Sequence, residues 1–184
     1  MRQLRIHQFR MTTAAVVLVV LGLAASLANA DTSKNEVLKH WQKFKPGSSA
    51  TLAATMSMGA MSIQTEMKTT LIEVASDKVT IETETTTIVN GQRHSIAPTR
   101  KVIDATGEQG DWVEVGHEKI EAAGKTFDCK VVDGKSTTPT RGGAPSDAKG
   151  RIWVNDEVPG GAVQIRANGG GHEILFKLVS FVAK

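Results

Sequence analysis

The sequence predicts a mainly β protein, a strongly curved antiparallel sheet or open barrel carrying one N-terminal helix. Three observations carry that expectation. From Thr51 to Lys68, TLAATMSMGAMSIQTEMK alternates with period two on both sides of Gly59-Ala60, the pattern of a hairpin with one dry face and one wet face. Further alternating runs, punctuated by Gly, Pro and Asn, continue to the end of the chain. Only Asn35 to Phe44, NEVLKHWQKF, has convincing helical spacing.

The first thirty residues read as an export signal. Arg2, Arg5 and Arg10 precede an apolar run from Ala14 to Ala25, and Ala28-Asn29-Ala30 has small residues where a signal peptidase cuts. Cleavage before Asp31 would release residues 31–184 as a single periplasmic or secreted domain. No cysteine follows the cleavage point directly, which argues against a lipid anchor. The chain is formally +3, with 22 Lys+Arg against 19 Asp+Glu. The three arginines leave with the signal and no acid goes with them, so the mature chain is near neutral and no nucleic-acid partner is expected. About 150 residues suffice for one core. Cys129 is the single cysteine, so no disulfide can staple the fold, and its alternation with Phe127 and Val131 marks it as a small buried hydrophobe.

In the helix, Val37, Leu38, Trp41 and Phe44 share one side, and Pro46-Gly47 supplies the stop. In the hairpin, the turn at Gly59-Ala60 sets Met58 opposite Met61, Met56 opposite Ile63, Ala54 opposite Thr65 and Leu52 opposite Met67. These eight residues form the dry face. The second strand runs on through Leu71 to Val74, with a bulge expected near Thr70 where the parity slips. Lys78 to Val89 follows, and Asn90-Gly91 is a type I′ turn signal that pairs Thr87 with His94 and Thr85 with Ile96. Its threonine-rich face fits either a partly polar cavity or an edge strand leaving the core, and we favour the edge.

Past Pro98, Arg100 to Ala105 and Asp111 to Ala123 read as strands, with Gly116 as a bulge. A turn at Ala123-Gly124 places Ile120 beside Phe127. Asp133 to Gly150, DGKSTTPTRGGAPSDAKG, reads as a flexible surface loop. Arg151 to Glu157 and Ala162 to Ala167 are strands about a Pro159-Gly160-Gly161 turn. The last strand, in HEILFKLVSFVAK, is apolar on both sides and is expected mid-sheet beneath the helix.

Chemistry is sparse in this chain. Met56, Met58 and Met61 are soft thioethers at strand spacing, a pattern compatible with Cu(I), but the same face continues as Leu52, Ala54, Ile63 and Met67, so core is the preferred reading and no metal is assigned. His40, His94, His117 and His172 make no ligand spacing. Of these, only His94, opposite the threonine patch, is a candidate contact. No GxSxG elbow occurs, the glycine runs lead into no helix, and Glu82 and Glu84 read as a solvated face. No cofactor and no catalytic residue are expected.

The Trp41-to-Phe44 helix ending in Pro46-Gly47, the antiparallel hairpins, Gly124-Lys125 leading to Cys129, and Trp153-Val154 before Val158-Pro159-Gly160-Gly161 together resemble a group of secreted bacterial proteins. That group is similar in plan to the periplasmic outer-membrane lipoprotein carrier superfamily. The resemblance implies an incomplete antiparallel barrel wrapped over helix, with an acyl chain or apolar segment bound on the concave face. No ligand contact of that superfamily maps to a numbered position here.

The functional expectation is therefore non-catalytic binding of a lipid or other apolar ligand in the cell envelope. Its candidate contacts are Leu52, Met56, Met58, Ile63, Met67 and His94. Methionines suit such a face because they adapt to varied shapes. The alternative is a structural or protein-interaction module of the envelope whose apolar face is simply full.

Overall fold

One helix and nine strands follow each other in the computed structural model, which describes residues 36–58, 61–104, 111–136, 148–169 and 172–184. The export signal and cleavage point expected from the sequence lie outside these residues. Helix α1 (Glu36–Gln42) precedes β1 (Ser49–Met58), β2 (Met61–Val74), β3 (Lys78–Val89) and β4 (Gln92–Asp104). Then come β5 (Asp111–Ala122), β6 (Lys125–Ser136), β7 (Ala148–Val154), β8 (Ala162–Gly169) and β9 (His172–Val182). They form one sheet in the order β4-β3-β2-β1-β9-β8-β7-β6-β5, antiparallel throughout.

The topology forces the sheet to coil and also keeps it open. Laid flat, nine strands would separate the outer strands β4 and β5 by roughly 38 Å, whereas the seven peptide links between Asp104 and Asp111 reach at most ~25 Å. The sheet therefore curls, and the turn after β5 closes over it, with the Ala123 N–H donating to the Leu178 carbonyl of β9 at 3.2 Å. Full closure is barred by parity. An all-antiparallel ring needs an even number of strands, so β4 and β5 would have to meet in parallel, and a parallel pair needs a crossover of about a dozen residues or more.

Local sequence sets most of the register. The first hairpin pairs Met58 with Met61, Met56 with Ile63, Ala54 with Thr65 and Leu52 with Met67, as the alternation predicts. Asn90 (φ 49°) and Gly91 (φ 82°) take the two left-handed positions of the expected tight turn, and Ala123 (φ 47°) and Gly124 (φ 76°) repeat it. The bulge expected at Gly116 is present, and the one expected near Thr70 falls between Leu71 and Glu73. Arg100 to Asp104 is not a separate strand but the second half of β4. The ladder shifts where Pro98 interrupts it, which an edge strand tolerates because Pro lacks the N–H a central strand needs.

Three clusters make up the core, and the first two lie on opposite faces of β6 and β7, because Val132 and Ile152 belong to one and their neighbours Val131 and Trp153 to the other. Ala54, Met67, Val132, Ile152, Ile165, Ala167, Ile174 and Phe176 form the first. Phe127, Cys129, Val131, Trp153, Val158 and Leu178 anchor the second, where Phe181 meets Phe127 edge-on with ring centres 6.0 Å apart. Cys129 is fully buried there; burial, aided by the charge of Asp128, pushes its thiol up to about 11, so it packs rather than reacts.

The third cluster joins Leu38 and Trp41 of α1 to Leu71, Val79 and Ile103. Seven residues are too few to hold a helix by themselves, so α1 exists through this packing. It caps one end of the coil over β2, β3 and β4, and not β9 as the two-sided apolarity of the last strand suggested. Strand β9 is central, between β1 and β8, but Val179 and Val182 on it are exposed.

The segment read as a loop from Asp133 to Gly150 is shorter than expected. Asp133 to Ser136 and Ala148 to Gly150 are ladder residues of β6 and β7, and the intervening residues 137–147 lie outside the described ones. The cross-strand pair Asp133–Arg151 is bidentate, at 2.6 and 2.7 Å. The Arg151 guanidinium holds the Asp133 carboxyl below its ordinary range. A carboxylate depressed in the folded state adds stability above its unfolded value and loses it as pH falls through the folded one. We expect Asp133→Asn to cost no more than about 1 kcal/mol at neutral pH, because both side chains are over a third exposed. In thermal unfolding followed by circular dichroism, the gap between the two proteins should close as the pH is lowered past the carboxylate range.

Candidate functional site: a fork in the sheet

Strands β1 and β9 pair only part of the way. Their ladder runs from Ser49 and Val182 to Ala53 and Lys177, with a shift between Thr51 and Leu52. Beyond Ala53, β1 stays paired with β2 as far as Met58, and β9 stays paired with β8 back to His172, but the described ladder between β1 and β9 has ended. The sheet forks there, at the end away from α1. From Ala54 onward β1 offers backbone hydrogen-bonding groups toward the gap, as an edge strand does.

The two prongs differ in chemistry. On the β8–β9 side the inner residues are Ile165, Ala167, Ile174 and Phe176, all buried and apolar. On the β1–β3 side the inner face mixes Ala54, Ile63 and Met67 with Thr65, Thr85 and Thr87. The ladder sets Thr65 beside Thr87 and Met67 beside Thr85. Side chains of the two prongs nevertheless meet, since Ala54 and Met67 belong to the same cluster as Ile174 and Phe176. The prongs thus touch through side chains where backbone bonds are lacking.

Leu52 is half-buried between two clusters, and Ile63 and Met67 are buried in the interior. Met56 and Met58 have the expected partners along the backbone, but their side chains, like that of Met61, lie outside the described residues. His94 does pair with Thr87, yet its side chain is exposed because β4 overhangs the coil from Gln92 to Val102. It stands on the outer edge and not in the interior.

The sequence reading missed the threonines of β3. The edge explanation holds for β4 but fails for β3, where Thr85 and Thr87 are 3 % and 4 % exposed. Their shared parity with Val79 and Ile81 was the available signal. Among the described residues the buried polar side chains are Ser48, Ser49, Thr65, Thr85, Thr87 and Gln164, none of them charged. No three His, Cys, Asp or Glu side chains converge as metal ligands among those residues.

No family model matches the chain, and neither does any curated protein. Among solved structures, a hypothetical protein of Chlamydia trachomatis is similar at 9 % identity, with a TM-score of 0.48 over 83 % of this chain and 93 % of that one. A DUF1329 family protein from Desulfovibrio piger is similar at 10 % identity, with a TM-score of 0.29 over 82 % of this chain and 91 % of that one.

At the closed end, α1 is latched to the turn between β7 and β8. Asp156 lies 3.2 Å from His40 Nδ1 and 2.8 Å from Lys43 Nζ. The Lys43 ammonium, helped by His40 and Lys130, holds the Asp156 carboxyl below its usual range. Gln42 donates to the carbonyls of Ala75 and Ser76 at 2.9 and 3.0 Å. The helix therefore ties together the β2–β3 and β7–β8 turns, on opposite halves of the sheet.

Proposed function

We propose that the protein is a non-catalytic binder of a lipid or other apolar ligand in the cell envelope, holding it on the concave face between the prongs of the fork. One observation carries the reading: beyond Ala53, where the described β1–β9 ladder has ended, two walls meet through the side chains of Ala54, Met67, Ile174 and Phe176. Side-chain contacts between prongs can be exchanged for contacts with a hydrocarbon chain at little net cost, whereas ladder hydrogen bonds cannot. The export signal supports an envelope or secreted location.

The competing reading is an envelope scaffold or protein-interaction module. Deep burial of Met67 and Phe176, each 3 % exposed, favours it, because the interior is then already full. Native mass spectrometry of the protein isolated from its own envelope separates the two. The binder carries a lipid-sized added mass that is lost on denaturation. A protein that retains only its own chain mass under gentle ionisation is a scaffold.

A further inference from the structure

We propose that the ligand is a single-chain amphiphile whose polar group is uncharged, such as an alcohol, ester or amide, and that the Thr87 hydroxyl binds that group. The inference rests on the binding reading above and names its ligand class. Thr87 is 4 % exposed, and its Oγ1 has no hydrogen-bond partner among the described residues. A buried hydroxyl left unpaired destabilises the protein, and valine, nearly identical in shape, would remove the penalty. The hydroxyl has company: Thr65 lies beside it across the β2–β3 ladder, and Thr85 is two residues along the same face, beside Met67. Ala54, opposite Thr65, is the residue at which β1 leaves β9. The unpaired hydroxyl thus lies on the wall that borders the fork.

The absence of charge follows from the surroundings. The buried polar side chains among the described residues are neutral, so a carboxylate or phosphate drawn inside would lose its hydration with no counter-ion to replace it. A threonine hydroxyl both donates and accepts, which suits an alcohol, an ester carbonyl or an amide. The hydrocarbon tail then lies along Met67, Ile174 and Phe176.

Displacement of a fluorescent fatty-chain reporter by decanol, decanoate and decane tests this. Wild type and Thr87→Ser should bind decanol alike, and Thr87→Val should bind it roughly tenfold more weakly, the value of one neutral hydrogen bond. Decane should bind both wild type and Thr87→Val equally, and decanoate should bind wild type more weakly than decanol. Unliganded Thr87→Val should unfold no earlier than wild type on heating, which shows that its weaker binding is not a folding defect. Unchanged decanol binding in Thr87→Val, or an equal fall for decane, overturns this inference and leaves apolar binding standing. Failure of all three probes to displace the reporter overturns both.

Discussion

Replacing Trp41 with alanine is expected to lower the free energy of unfolding by about 3–5 kcal/mol, as for other buried tryptophans. Trp41 is 4 % exposed and packs with Leu38, Leu71, Val79 and Ile103, which tie α1 to β2, β3 and β4. Its ring also lies against Gly160 in the turn between β7 and β8. One side chain thus contacts both halves of a sheet whose outer strands never pair. Losing it empties the third cluster and frees a seven-residue helix that has no stability of its own. Urea unfolding followed by circular dichroism measures the loss. A change below about 1 kcal/mol would mean that α1 is an ornament on the coil and not its cap.

Gly160→Ala is expected to cost roughly 2–4 kcal/mol, from backbone strain and overpacking together. Gly160 has φ +77°, where a side chain is strained, and a Cβ there would lie 2.6 Å from Cζ2 of Trp41. The two contributions separate in a double-mutant cycle. In a Trp41→Ala background the collision vanishes and only the strain of about 1 kcal/mol should remain, so the two substitutions should fall well short of additive. Additive costs would show that the indole and the turn do not press on each other. The neighbouring Gly161 offers a control, because there an added Cβ would approach Val154 at 2.9 Å and not the indole.

What could be read from the sequence was local. Alternation about Gly59-Ala60 placed Leu52 opposite Met67, and Asn90-Gly91 placed Thr87 opposite His94, because a two-residue turn fixes the register of the strands it joins. The curvature was legible only as a class, and the fork was not legible at all. Pairing of Ala53 with Lys177 joins residues far apart in the chain, and nothing near either one announces that the ladder stops there. The threonines of β3 were misjudged for a related reason. Thr85 and Thr87 look like solvent-facing residues until the β8–β9 wall is known to close over that side.

Charge pairs across strands were equally hidden. Asp133 and Arg151 stood at the two ends of a Gly- and Pro-rich segment that looked unable to order itself, yet their bidentate contact stitches β6 to β7 at its base. Glu118 and Trp153 show the same: the indole N–H donates to the carboxylate at 2.8 Å across two strands that are not neighbours in the sheet. Polar residues in loops and on edge strands find their partners only once the coil has brought them together.

The central claim is that a hydrocarbon chain enters between the prongs of the fork, and photo-crosslinking with a fatty acyl chain bearing a diazirine tests it most directly. Peptide mapping by mass spectrometry should place the adducts on both prongs, in the peptides carrying Ala54 or Met67 and in those carrying Ile174 or Phe176. Adducts confined to the exposed Val113 and Val115 of β5, or spread as in the unfolded chain, would contradict it.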